Sequence, residues 1–247
     1  MKPIRITAVS YYNTLPFIYG LKHSGLLSDY DLSLDVPSEC ARKIISNEAD
    51  ISLIPVGALP GIPDYHLVSN LCIGADKDVK SVLLLATSAL PQLKTLYLDT
   101  DSLTSVNLVQ ILAEKYWKIS PKWKSLKELH GKLSADEGKV LIGDKTFGLS
   151  VQFPFCYDLA GEWIKFTGLP FVFAVWISLK PLPEDFKSSF QSALAWGVEH
   201  LENSAIMAIK PHITEQELVS YLKNDISYSL DESKMKGMEL FLKLLIQ

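Results

Sequence analysis

Arginine is almost absent from this sequence: of 24 basic residues only Arg5 and Arg42 carry a guanidinium. A binding site built on several bidentate Arg forks is therefore excluded, and an anionic ligand has to be held mostly by other donors. Cysteine is also scarce. Cys40, Cys72 and Cys156 are far apart, odd in number and free of any CxxC pairing, which excludes a disulfide framework and a thiolate zinc site. The five histidines are scattered and no HExxH pair occurs, so the sequence predicts neither a metal nor a cofactor. No run approaches membrane-spanning length, and the opening ITAVSYYNTLPF is broken by Ser10, Asn13 and Pro16 before the apolar core of an export signal forms. The expected address is cytoplasmic, with no membrane partner. A strong excess of either charge is missing too: 24 Lys plus Arg against 28 Asp plus Glu gives a net charge of -4, with no basic stripe to track phosphates. Nucleic acid is excluded as a partner on that ground.

What is present is apolar material, 48% of 247 residues, enough for one or two α/β lobes with a sizeable core. Ile4 to Val9 reads as a strand, Ser10 to Thr14 as a polar loop, and Leu15 to Leu21 as a helical segment. Leu32 to Val36 is a second strand, followed by a helix with Ser38 at its N-cap. Asp50 to Val56, Val68 to Ile73 and Val79 to Ala86 are further strands, the last too apolar for a sheet with one wet face. Pro91 marks a change, after which Lys94 to Leu98, a helix with N-cap candidates Thr104 and Ser105, and Val140 to Ile142 form a new set of units. The apolar PFVFAVWISL is a buried strand or extended crossover, and the remaining chain is helical. The expected fold class is α/β, with residues 1–91 and 172–247 as a discontinuous first lobe and 92–171 as the second. Two lobes joined by two crossings leave a cleft, a preferred place for a small ligand.

Three polar clusters stand where a strand ends and a helix starts, the ligand-bearing edge of an open α/β sheet: Ser10 to Thr14, Ser38, and Thr104 with Ser105. Each adds a hydroxyl or amide to the free N–H groups of a helix start, a carboxylate cradle that needs no arginine. Ser81 sits inside the apolar VKSVLLL, where a hydroxyl needs a partner. Asp144 follows a strand in LIGDKTF, after a glycine that permits close backbone approach. Phe171, Phe173 and Trp176 are candidates to line a ring-binding pocket. There is no GxSxG, no Walker A motif and no GxGxxG.

Taken together and in order, SYYNTLP, DISLIPV, DVKSVLLL, LDTDSLTSVNL, LIGD and DLAGEWIKFTGLPFVFAVW resemble the chorismate dehydratase family of menaquinone biosynthesis, which opens the futalosine route. The resemblance runs from about residue 4 to 178. It implies a two-lobed, periplasmic-binding-protein-like (type 2) fold with a central ligand cleft, and a cytoplasmic hydro-lyase whose small-molecule partner is chorismate. Ser10, Asn13, Ser38, Ser81, Thr104, Ser105 and Asp144 fall on the family's motif positions around the cleft. On this reading the catalytic candidates are Asn13 and Asp144. Ser10, Thr14, Ser38, Ser81, Thr104, Ser105, Phe173 and Trp176 are the substrate-binding candidates. Tyr12 and ADKDVKSV depart from the family strings. The related dihydroxynaphthoate synthases share the fold, but their opening Asn-Asp pair after Cys-Pro is missing here. Solute receptors of the same fold, which release their ligand unchanged, form the non-catalytic alternative.

Overall fold

The computed structural model describes residues 3–62, 64–208 and 213–246. The first 75 residues lay down β1 (Ile4–Val9), α1 (Leu15–His23), β2 (Tyr30–Asp35), α2 (Pro37–Ile45), β3 (Ile51–Pro55) and β4 (His66–Ala75). Next come β5 (Val82–Ala86), β6 (Thr95–Leu98), α3 (Leu103–Ile111), β7 (Lys122–Ser125), β8 (Glu137–Ile142), β9 (Phe155–Asp158) and α4 (Leu159–Thr167). The chain then returns through β10 (Phe171–Ser178), α5 (Glu184–Glu199), α6 (Leu201–Ile206), α7 (Glu215–Asn224), β11 (Ser227–Ser229) and α8 (Glu232–Leu245).

Two sheets result. One has six strands in the order β11-β4-β10-β3-β1-β2, the other five in the order β7-β6-β8-β5-β9. β1 pairs in parallel with β2 and β3, as βαβ units require. β10 enters antiparallel between β3 and β4, so the strand that brings the chain back sits in the middle of the first sheet.

The first crossing lies earlier than the sequence suggests. Val82–Ala86, expected to close the first lobe, pairs with β8 and β9 in the second sheet. Pro91 lies in a 3-10 turn between two strands of that same sheet. Two backbone features interrupt the apolar run from Val79. Lys80 takes a left-handed φ of 62°, and its N–H is drawn off by the Asp158 carboxylate at 2.6 Å. The chain therefore changes lobes between Ala75 and Val82, and returns through α4 and the Gly168–Pro170 turn. β5 is apolar throughout because both its faces are covered: Leu84 joins the main core, while Leu83 and Leu85 pack with Leu141 in a smaller one. The tail is not purely helical, since β11 adds an edge strand to the first sheet.

Candidate active site

Between the lobes lies a cavity lined by residues of both, the kind of setting in which small-molecule sites occur. The first lobe contributes Tyr11, Asn13 and Thr14 from the loop after β1, together with Pro37, Leu53, Pro55, Ile73, Phe173 and Ala174. The second contributes Ser81, Val82, Ser102, Ser105, Ile142 and Gly143. Among the described residues none that lines the cavity has a charged side chain. Recognition here falls to hydroxyls, one carboxamide and backbone N–H groups.

The start of α3 supplies the clearest anion cradle. Its N-cap is Ser102, two to three residues before the candidates Thr104 and Ser105. Ser102 is extended, with φ -132° and ψ 109°, and its Oγ accepts from Ser105 N–H at 3.3 Å. The two serine hydroxyls lie 3.2 Å apart and both line the cavity, beside the N–H groups that a helix start leaves unpaired. Thr104 does something else. Its hydroxyl accepts from Gly57 N–H at 2.9 Å and donates to the Phe173 carbonyl at 3.2 Å, so it ties α3 to the first lobe instead of lining the cavity. Gly57 is needed for that tie, because a Cβ there would stand 2.7 Å from the Thr104 nitrogen.

Asn13 is fixed from two sides. Tyr228 donates to its carbonyl at 3.1 Å, and the Thr14 hydroxyl donates to its Oδ1 at 3.2 Å. With Oδ1 occupied, its Nδ2 is the group left to donate. Ser81 stands just before β5, not inside the strand, and is buried; its Oγ accepts from the Tyr221 hydroxyl at 2.8 Å. Tyr221, on α7, is 140 positions away in the chain and no motif marks it. Burial pushes its phenol well above the usual range, and the Asp144 and Asp225 charges add to the rise.

Asp144 sits in the turn Gly143–Thr146 after β8, half-buried, and its Oδ1 accepts from Tyr12 N–H at 3.0 Å. That bond joins second lobe to first. Gly143 beside it has φ 62°, and a Cβ there would meet the Tyr11 ring at 3.2 Å, so only glycine lets Tyr11 cover this turn. Burial, then the charges of Asp101, Asp99 and Asp144, push Tyr11 up to about 12, with Lys145 opposing them. Burial and Asp144 raise Tyr12 to about 12 as well.

Besides Thr104, three further sequence candidates lie away from the cavity. Ser10 is exposed, and its N–H is taken by the Asp35 carbonyl. Ser38 is exposed and is the second residue of α2, not its cap, because Pro37 opens the helix and Val36 precedes it. Trp176 is wholly buried, edge-on to Phe17 at 5.8 Å and to Phe190 at 5.2 Å. It packs core where Phe173, on the same strand, reaches the cavity. Tyr11, Ser102 and Tyr221 are the polar groups that the sequence reading did not single out. Among the described residues no cluster of three His, Cys, Asp or Glu could hold a metal, and no helix is long and apolar enough to cross a membrane. His212 lies outside the described residues.

Two α/β lobes, two crossings and a hydroxyl-lined cavity between them define the periplasmic-binding-protein-like class. A Candida albicans protein described as having the generic periplasmic binding protein fold aligns with a TM-score of 0.62 at 14% identity, over 99% of this chain and 90% of its own. A solved Archaeoglobus fulgidus protein aligns with a TM-score of 0.71 at 12% identity, covering 98% of this chain and 96% of that one. Within that class the chain belongs to the menaquinone biosynthesis family, which it matches over residues 4–247. It is 26% identical to the chorismate dehydratase of Thermus thermophilus over 265 aligned positions, 99% of this chain and 96% of that protein.

Proposed function

We propose that this chain dehydrates chorismate to 3-[(1-carboxyvinyl)oxy]benzoate, with the cavity between its lobes as the active site. The observation that carries this reading is the match to the menaquinone biosynthesis family over residues 4–247. The interlobe cavity supports it, because its donors are neutral. Loss of the C3 hydrogen and the C4 hydroxyl turns the ring of chorismate into benzene. Aromatisation supplies the driving force, and the protein's task is orientation more than strong acid or base chemistry.

The substrate carries its own base. The enolpyruvyl carboxylate hangs from the carbon that loses hydrogen. The ring carboxylate, conjugated through the adjacent double bond, takes up charge as that proton leaves, and the C4 hydroxyl departs with a proton as water. Ser105 and the first N–H groups of α3 hold one carboxylate, and Ser81 holds the other. Asn13 hydrogen-bonds the charge that develops, and Phe173 flanks the ring. Asp144 positions the loop of Asn13 through Tyr12. A cytoplasmic address goes with this reading of a biosynthetic enzyme.

The test is incubation of the purified protein with chorismate, followed by proton NMR and mass spectrometry. An aromatic enolpyruvyl ether lighter by one water is the expected product. Chorismate bound but recovered unchanged identifies a solute receptor, and chorismate neither bound nor changed overturns the reading altogether.

A further inference from the structure

Ser81 and Tyr221 form a pair that the chemistry above leaves half explained. Tyr221 is 3% exposed and Ser81 1%, and the phenol hydroxyl donates to Ser81 Oγ at 2.8 Å. A serine hydroxyl has one proton to give and two lone pairs to fill. Because Ser81 Oγ is accepting from Tyr221, its own proton remains to be placed, and Ser81 lines the cavity. The phenol ring cannot swing away, since it is held edge-on against Phe147 at 5.0 Å.

Tyr221 donates to Ser81, and a hydroxyl that accepts a hydrogen bond is polarised into a better donor than an isolated serine.

We propose that Tyr221 is a positioning residue that commits the Ser81 proton to the cavity, making this wall a donor for a carboxylate oxygen of the substrate. The inference rests on the proposed dehydratase reading and adds to it a residue from the C-terminal helices. It also says what Ser81 recognises: an acceptor only. A substrate group offering a proton at that point would meet another proton.

Steady-state kinetics with chorismate on wild type, Tyr221→Phe, Ser81→Ala and the double variant tests it. Wild-type turnover comes first, because its absence overturns the dehydratase reading and leaves the pair to be tested by calorimetric binding of 3-hydroxybenzoate to the same four proteins. Ser81→Ala is expected to raise KM about tenfold or more, the loss of a hydrogen bond to a charged group. Tyr221→Phe is expected to raise it about fivefold with kcat within about twofold, and the double variant to be no worse than Ser81→Ala alone, as coupled residues behave. A Tyr221→Phe protein with wild-type KM, or effects that simply multiply, overturns the proposal. Should Tyr221→Phe fail to fold, 3-fluorotyrosine placed at position 221 keeps the shape and makes the phenol a stronger donor. KM, or the calorimetric dissociation constant, should then fall, and no change in it refutes the role.

Discussion

Asn13 is held at its carbonyl by Tyr228 and at its Oδ1 by Thr14, so its remaining amide donor is pre-oriented before a ligand arrives. Preorganised donors of this kind act on charge as it develops, and removing one costs on the order of a hundredfold or more in turnover. At saturating chorismate, Asn13→Ala is expected to lose at least that much. Asp144→Asn should keep most of its turnover, because an amide oxygen can still accept from Tyr12 N–H. A folded Asp144→Asn protein that binds chorismate normally yet does not convert it would make Asp144 the base and refute the substrate-assisted route. At this scale the cavity-lining positions of Asn13, Ser81 and Ser105 could be read from a polar loop after a strand, a hydroxyl in an apolar run and the start of a helix. The cap at Ser102 was missed because DTDSLTS offers hydroxyls at four positions, and only backbone geometry chooses among them. Trp176 was misread because an aromatic in a buried strand carries no mark of which neighbour it meets, and Tyr221 meets Ser81 only through tertiary folding.

The return element α4 begins at Asp158, whose carboxylate accepts from the N–H groups of Ala160 and Gly161 and also from Lys80 on the outgoing crossing. One side chain thus caps a helix and pins the opposite crossing. Burial pushes Asp158 up to about 6, against the lowering effect of the Lys80, Val79 and Gly161 N–H groups, with Asp78 adding to the rise. The folded chain therefore holds this proton more tightly than the unfolded chain. Between about pH 4 and 6 the native state carries more protons, so the contribution of Asp158 to stability grows as pH falls through 6 and is lost as pH rises again. Urea unfolding of wild type and Asp158→Asn at several pH values checks this. The stability difference should shift in favour of wild type from about pH 6.5 down to pH 4.5 and stay level above pH 7.5; a difference constant throughout would refute the assignment. The sheet membership of β5 was not legible, because a strand apolar on both faces gives no sign of the core it enters. Lys80 hid the break, since a lysine in the left-handed region looks like any lysine in sequence.

At the scale of the whole molecule, the two-lobed plan was readable from the order of α/β units, although the crossing that starts the second lobe was not. What the plan encloses is a cavity whose lining, among the described residues, bears no charged side chain, in a protein of net charge -4. A substrate with two carboxylates is therefore neither attracted from a distance nor paired with a counter-ion on arrival. Long-range steering, which raises the encounter rates of oppositely charged partners, here works in reverse, and salt shortens its reach. The contacts proposed at the hydroxyls and at the start of α3 would be short and shielded, so ions in solution should weaken them little. Raising the ionic strength from about 0.01 to 0.3 M should leave kcat unchanged and raise kcat/KM slightly, where a site built on lysine or arginine would lose affinity. On the proposed reading, a site that holds a dianion without cations trades speed of capture for indifference to salt.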